Sequence, residues 1–408
     1  MKNDILITGG HIIDPARNIN EINNLRIIND IIVDADKYPV TSETRIIHAD
    51  GMIVTPGLID YHAHVFYDAT EGGVRPDMYM PPNGVTTVVD AGSAGTANFD
   101  AFYRTVICAS KVRIKAFLTV SPPGQTWSQE NYDPDNIDEN KIHALFRQYR
   151  NVLQGLKLKV QTEDIAEYGL KPLTESLRIA NDLKCPVAIH STHPVVPMKE
   201  LVSLLRRGDI IAHAFHGKGS TILTDEGVVL AEVRQARERG VIFDAANGRS
   251  HFSMNTARRA IANGFLPDII SSDLSTITKL AWPVYALPWI LSKYLALGVA
   301  LTDVINACTH TPAVLMGMAA EIGTLAPGAF ADIAIFKLKN RHVEFADIHG
   351  ETLTGTHVLV PQMTIKSGEI LFRQIDFGAR PNGVENDLNA KMATDRRDIN
   401  VRPFCCLS

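Results

Sequence analysis

The chain has 408 residues, 45% of them hydrophobic and 21% charged, which is enough for one large core and a smaller one beside it. A net charge of −5 supplies no basic surface for nucleic acid or an anionic membrane, and the composition excludes a disordered or fibrous chain. Five cysteines, Cys108, Cys185, Cys308, Cys405 and Cys406, are odd in number and mostly scattered, which fits a reducing, cytoplasmic setting better than a disulfide framework.

The opening "MKNDILITGGHIIDPARN" lacks the long apolar core of a signal peptide. Residues 4–54 read as short β-strands, because no helical period is sustained there. From residue 58 apolar runs alternate with amphipathic segments. The runs are "LIDYHAHVF" (58–66), "GVTTVVDAG" (84–92), "VRIKAFLTV" (112–120), "LQGLKLKV" (153–160), "CPVAIHST" (185–192), "DIIAHAF" (209–215), "VIFDAAN" (241–247) and "PDIISSDL" (267–274). Helical patterns lie between the later ones, at 173–183, 227–240 and 256–264, with Gly240 and Gly264 as stops. The most apolar window, 280–301, contains Pro283, Pro288 and Lys293 and predicts loop plus buried helix rather than a membrane span. Further helices follow, and "IGTLAPGAFADIAIFKL" and "MTIKSGEILFR" return to β character.

Eight strands alternating with helices predict an α/β fold: a (β/α)8 TIM-type barrel over 55–318. It is inserted into a small β-sandwich formed by the N- and C-terminal segments, 1–54 and 319–378, and followed by a polar tail, 379–408. The last four residues, "CCLS", match a prenylation box with Cys405 as acceptor, a four-letter match that chance readily produces.

A barrel enzyme places its chemistry at the C-terminal ends of its strands. His62 and His64 end the first run, and alternation puts both on one face. Lys157 and Lys159 lie in the fourth run, His190 ends the fifth, His213 the sixth and Asp273 the eighth. Any one of these has a structural reading, as a hydrogen-bonded core histidine, a helix N-cap or a solvated lysine. Together they place four imidazoles and a carboxylate at one rim, a donor set for Zn²⁺ or a similar divalent ion. His11 and His310 read as structural.

With these residues in hand, the sequence resembles the amidohydrolase superfamily along nearly its whole length. The similar stretches are "DGMIVTPGLIDYHAH", the lysine-bearing fourth run, His190, His213, "SSDL" and "GTLAPGAFADIAIF". It is most similar to the dihydroorotase-like deacetylase group, often labelled dihydroorotase or adenine deaminase, through "GLK", "DIIAHAFHGK", "GFLPDIISSDL" and "SKYLALG". The resemblance implies two divalent ions, Zn²⁺ first among Zn, Mn, Co and Ni. His62, His64 and Asp273 would hold one and His190 and His213 the other. A lysine carboxylated by CO₂ would bridge them. The resemblance points to Lys157 as that N6-carboxylysine, while alternation alone leaves Lys159 open.

The chemistry implied is hydrolysis of an amide or ester bond in a small, carboxylate-bearing acyl compound, such as an acetyl compound. Coordination lowers the pKa of a bridging water, and Asp273 takes its proton and passes it to the leaving group. Substrate groups are sought in the loops after the strands: His216 and Lys218, then Asn247, Arg249 and His251, with His193 and Trp127 weaker. Relatives commonly show His at the place of Asn247 and Asp-Leu-His where this chain has Asp273-Leu274-Ser275, so a relative's substrate does not transfer. The alternatives are a cyclic amide hydrolase of dihydroorotase or hydantoinase type, an adenine deaminase, and a scaffold that has lost its metals. The last should lack ligands, and all six positions are filled. The partner expected is a small molecule, with self-association left open.

Overall fold

The computed structural model of the protein describes residues 3–126 and 130–377. Trp127, the polar tail and the prenylation box lie outside the described residues. Seven of the apolar runs are strands: β1 (Leu58–Ala63), β2 (Val85–Ala91), β3 (Arg113–Thr119), β4 (Leu153–Lys159), β5 (Val187–His190), β6 (Ile210–Ala212) and β7 (Ile242–Asp244). They pair parallel and in chain order, so each pair needs a crossover. Lys171–Leu183 crosses from β4 to β5 and Ala231–Arg239 from β6 to β7. The second of these helices ends on Gly240 at φ +97°, a left-handed cap that a side chain would strain.

The eighth run departs from expectation. Residues 267–274 form no regular strand; single parallel bridges join Ile269 to Asp244 and Leu274 to Ala63. One segment therefore touches both edge strands of the sheet. Its polar residues are held by side chains instead of a ladder. Asp60 accepts from the Ser272 N–H at 2.9 Å and from the Ser272 hydroxyl, and the Ser271 hydroxyl donates to Asp244 at 2.6 Å. Below this level Ile59, Tyr61, Val89, Phe117, Ala188, Ile210 and Ile269 form a buried apolar plug, contributed by β1, β2, β3, β5, β6 and the closing segment. A larger core packs the outer faces of the strands against the helices.

The two chain ends meet in an eight-stranded mixed sheet, in which Ile53–Pro56 pairs antiparallel with the start of Ile333–Ala346. Hydrogen bonding joins all eight strands into one sheet and does not divide them into two. The sheet has its own core, including Ile5, Ile7, Ile27, Val54, Ile335 and Met363. Its long hairpin, Ile333–Ala346 with Thr352–Lys366, reaches the helices that follow β7: α1 (Met254–Ala262) and α2 (Leu287–Ala296). Asp347 at the hairpin tip accepts the Met254 N–H at 2.6 Å, and Ser292 of α2 accepts the Leu359 N–H at 2.9 Å. Among the described residues no helix is long and apolar enough to cross a membrane.

Candidate metal centre

The interior face above the apolar plug carries the polar groups. His190 lies two residues beyond Ala188, and Asp273 continues the alternation of Ile269 and Ser271. Strict alternation fails at two points. The β1–β2 register shifts between Asp60 and Ala63, and His213 leaves β6 at φ +64°. Asp273 is also left-handed, at φ +51°. Such a backbone costs a non-glycine residue about 1–3 kcal/mol and persists where neighbours fix it. The Asp273 N–H donates to the His62 carbonyl at 2.7 Å, and the His213 ring donates to the Ala246 carbonyl at the same distance.

The result is two groups of candidate ligands. His62, His64 and Asp273 form one, and His190, His213 and His251 the other; within each, the ligand atoms lie within 4.8 Å of one another. Asp273 Oδ1 is 3.2 Å from His64 Nε2 and 3.7 Å from His62 Nε2. The His213 ring lies 4.2 Å from His190 and 4.3 Å from His251, centre to centre. All six residues line a cavity of about 480 Å³, together with Lys157, Lys159, Arg249, Gln125, Ser275 and Thr278. A larger hollow of about 600 Å³, near Pro134 and Leu170, is open and has no imidazole in its wall.

Outer partners decide how the imidazoles face. A carbonyl only accepts, so His213 Nδ1 carries the proton and Nε2 keeps its lone pair. The Ser93 hydroxyl donates to Asp90 at 2.8 Å and therefore accepts from His64 Nδ1, 2.9 Å away. His62 Nδ1 stands 3.4 Å from Asp244. The His64 and His213 rings are thus tied from behind through Nδ1, which turns Nε2 toward the cavity, as in metal-bound histidines. Burial holds His62, His190 and His213 well below the ordinary imidazole range, with neighbouring cationic groups adding to it. Neutral imidazole is the form that coordinates. His190 Nε2 is buried without a hydrogen-bond partner. These residues fit divalent cations.

The two lysines have different surroundings. Burial opposes the charge of Lys159, but its pair with Glu130, joined by Asp164 and Asp273, leaves its pKa raised. The Lys157 amine is buried and has no hydrogen-bond partner. Burial pushes it down to about 8, against the pull of Asp273, Glu130 and Asp244. Of the two amines, the surroundings favour the neutral form at Lys157. Gly92, at φ +90°, makes the space: a Cβ there would lie 2.7 Å from both Cβ and Cγ of Lys157.

Of the five expected substrate groups, Arg249 and His251 line the cavity. Asn247 is fully buried and donates to the Ser271 carbonyl at 3.2 Å. His216 is buried outside the cavity wall, where its ring accepts the Lys218 N–H at 3.4 Å. Lys218 pairs with Glu163 at the surface, and the same carboxylate takes His193 at 2.9 Å. Asn247, His216 and Lys218 thus stand away from the cavity wall. Of the two places where the sequence departs from its relatives, Asn247 is withdrawn and Ser275 faces the cavity. His251, expected beside substrate, joins the second imidazole group. Sequence reasoning missed Asp60, Asp90, Asp244 and Glu130. Asp90 and Asp244 lie at the ends of their apolar runs, as Asp273 does, and that position was the available signal. Burial pushes Asp244 up to about 7 and Asp60 up to about 6.

Comparison with known proteins gives the family. Residues 53–371 match the model of the amidohydrolase family. The chain belongs to the amidohydrolase family, and it is a hydrolase. A deacetylase from Agrobacterium fabrum is 32% identical over 334 residues, 81% of each chain. A crystal structure of a dihydroorotase superposes with a TM-score of 0.82 at 29% identity, covering 90% of this chain and 97% of that one. That of an adenine deaminase gives 0.83 at 26%, covering 91% and 100%. The two structures share this fold, and the three names differ in the reaction they state.

Proposed function

We propose that the protein is a binuclear metal-dependent deacylase. It would hydrolyse an amide or ester bond of a small carboxylate-bearing compound, with acetyl as the first acyl group to test. The observation that carries the reading is the unpartnered Lys157 amine, buried on the same cavity wall as two groups of ligand atoms. His62, His64 and Asp273 would hold one cation, His190 and His213 the other, and Lys157, carboxylated by CO₂, would bridge them. When bound, two such cations lower the pKa of a shared water toward neutrality and polarise the substrate carbonyl; Zn²⁺ suits the donor set, as do Mn, Co and Ni.

The chain's own groups supply the rest. Asp273 accepts the proton of the attacking water and returns it to the departing nitrogen or oxygen. Asp244, Ser93 with Asp90, and the Ala246 carbonyl keep His62, His64 and His213 in the tautomer that presents Nε2. Arg249, exposed at the cavity wall, presents a planar fork that pairs two-to-two with a substrate carboxylate. Gln125, Ser275 and Thr278 offer amide and hydroxyl groups to the remaining polar atoms. The three described cysteines are free, in keeping with a cytoplasmic enzyme acting on a small molecule.

A second reading, hydrolysis of a cyclic amide, is supported by the similarity to a dihydroorotase structure. One screen separates the readings. Metal-loaded protein in bicarbonate is offered N-acetyl amino acids, acetylated 2-hydroxy acids, hydantoins, dihydroorotate and adenine. Acetate release is the expected result. Ring opening alone would move the assignment to the cyclic amides, and ammonia from adenine would overturn it.

A further inference from the structure

We infer that His251 is a third imidazole ligand of the second cation site, so that His190, His213 and His251 together hold one ion. The inference rests on the binuclear reading above. His251 reaches this position from a loop rather than from a strand end. Its ring lies 4.7 Å from that of His190 and 4.3 Å from that of His213, and the ligand atoms of all three fall within 4.8 Å of one another.

The wiring of the ring is the second observation. His251 Nδ1 is 3.0 Å from the Thr192 hydroxyl, which is its outer partner. His64 and His213 are tied in the same way, through Nδ1 to a group behind the ring, and His62 Nδ1 faces Asp244 at 3.4 Å. Thr192 lies two residues beyond His190, so the end of β5 supplies one ligand and the hydroxyl that orients another. The remaining nitrogen, Nε2, meets the Ser250 hydroxyl at 3.4 Å, and Ser250 itself lines the cavity. A hydroxyl can accept from Nδ1, the arrangement that leaves the Nε2 lone pair for a cation, and an outer partner of this kind orients the ring.

The third observation is that the loop is fixed. A Cβ on Gly248, at φ +55°, would lie 2.8 Å from His251 Cδ2 and 2.3 Å from Asp273 Oδ2, so the loop packs against both ligand groups. Immediately after His251, Phe252 is buried, the Ser253 N–H donates to the Phe215 carbonyl at 2.8 Å, and Asp347 takes the Met254 N–H. The ring is therefore presented by a clamped backbone. Three imidazoles and one oxygen of a modified Lys157 would fill four positions around the second ion, the ligand number of a tightly held site. Asp273, His62 and His64, with the other oxygen of that group, would give the first ion the same number.

The test counts metal rather than turnover. Wild type, His251→Asn and Thr192→Val are loaded with Zn²⁺ in bicarbonate and titrated with a chelator, and the metal retained per chain is measured by mass spectrometry. Cobalt-loaded samples give absorption spectra that report nitrogen ligation, and thermal melts report folding. The expected result is two ions in wild type, with His251→Asn losing one of them at least about tenfold more readily. Thr192→Val should weaken the same ion about 10–100-fold, through the ring it orients. Retention and cobalt spectra unchanged in both variants would overturn the assignment of His251 while leaving the binuclear reading intact. A wild type that never takes up a second ion would overturn both.

Discussion

Asp273 combines a left-handed backbone, two imidazoles within 3.7 Å and a place in the cavity wall. The proton-transfer role is separable from ligation, because an asparagine oxygen can still coordinate and cannot take a proton. Asp273→Asn is expected to keep most of its metal and lose about 10²–10⁴ in kcat, the usual range for a general base. Steady-state rates beside metal content check this, and near-wild-type turnover would remove Asp273 from the role. At this scale much of the site was legible. His62, His64, His190, His213 and Asp273 end apolar runs, where a barrel places its chemistry. The two lysines share a face, and only the environment separates them: Glu130 pairs Lys159 and leaves Lys157 unpartnered. Glu130 follows no apolar run, so nothing in the sequence pointed from it to Lys159. His251 was legible as a nearby polar residue and not as a ligand, because loop geometry carries it inward.

Elements explain why some expectations changed. The eighth apolar run, with Ser271 and Ser272 in it, bridges both edges of the parallel sheet without becoming a strand, because buried Asp60 and Asp244 take up its polar groups. Periodicity registers apolar runs and does not register such side-chain ties. The hairpin of the terminal sheet likewise meets α1 and α2 through contacts distant in sequence. Beside them, Lys293 of α2 is buried with its amine 3.5 Å from the centre of the Phe252 ring. Burial pushes its pKa down to about 7, with Asp347 pulling weakly the other way. The folded pKa lies below the unfolded value, so the unfolded chain binds more protons between about pH 7 and the ordinary lysine range. Stability from this group therefore rises with pH through that window and is lowest below pH 7. Lys293→Met removes the penalty, and its melting temperature should exceed wild type by more at pH 6 than at pH 9. An equal gain at both values, or a loss confined to pH 6, would refute the assignment of a buried amine that resists its charge.

For the whole molecule, family and reaction class follow from parts that are widely separated in the chain. Strands from residue 58 onward build the rim, and the two chain ends pair in one sheet. A different set, Gln125, Arg249, Ser250, Ser275, Ile277 and Thr278, completes the cavity wall where a substrate would be read. Residues on loops between barrel elements vary while the scaffold persists. That is why a deacetylase, a dihydroorotase and an adenine deaminase can all be similar to this chain. It is also why the hydrolytic chemistry was readable from the sequence and the positions of His216, Lys218 and Asn247 were not. The most direct measurement is the ¹³C spectrum of protein loaded with Zn²⁺ in ¹³C-bicarbonate. One carbamate resonance should be present in wild type, persist in Lys159→Ala and vanish in Lys157→Ala. No resonance in wild type, or one that survives loss of Lys157, would contradict a cation pair bridged by that residue.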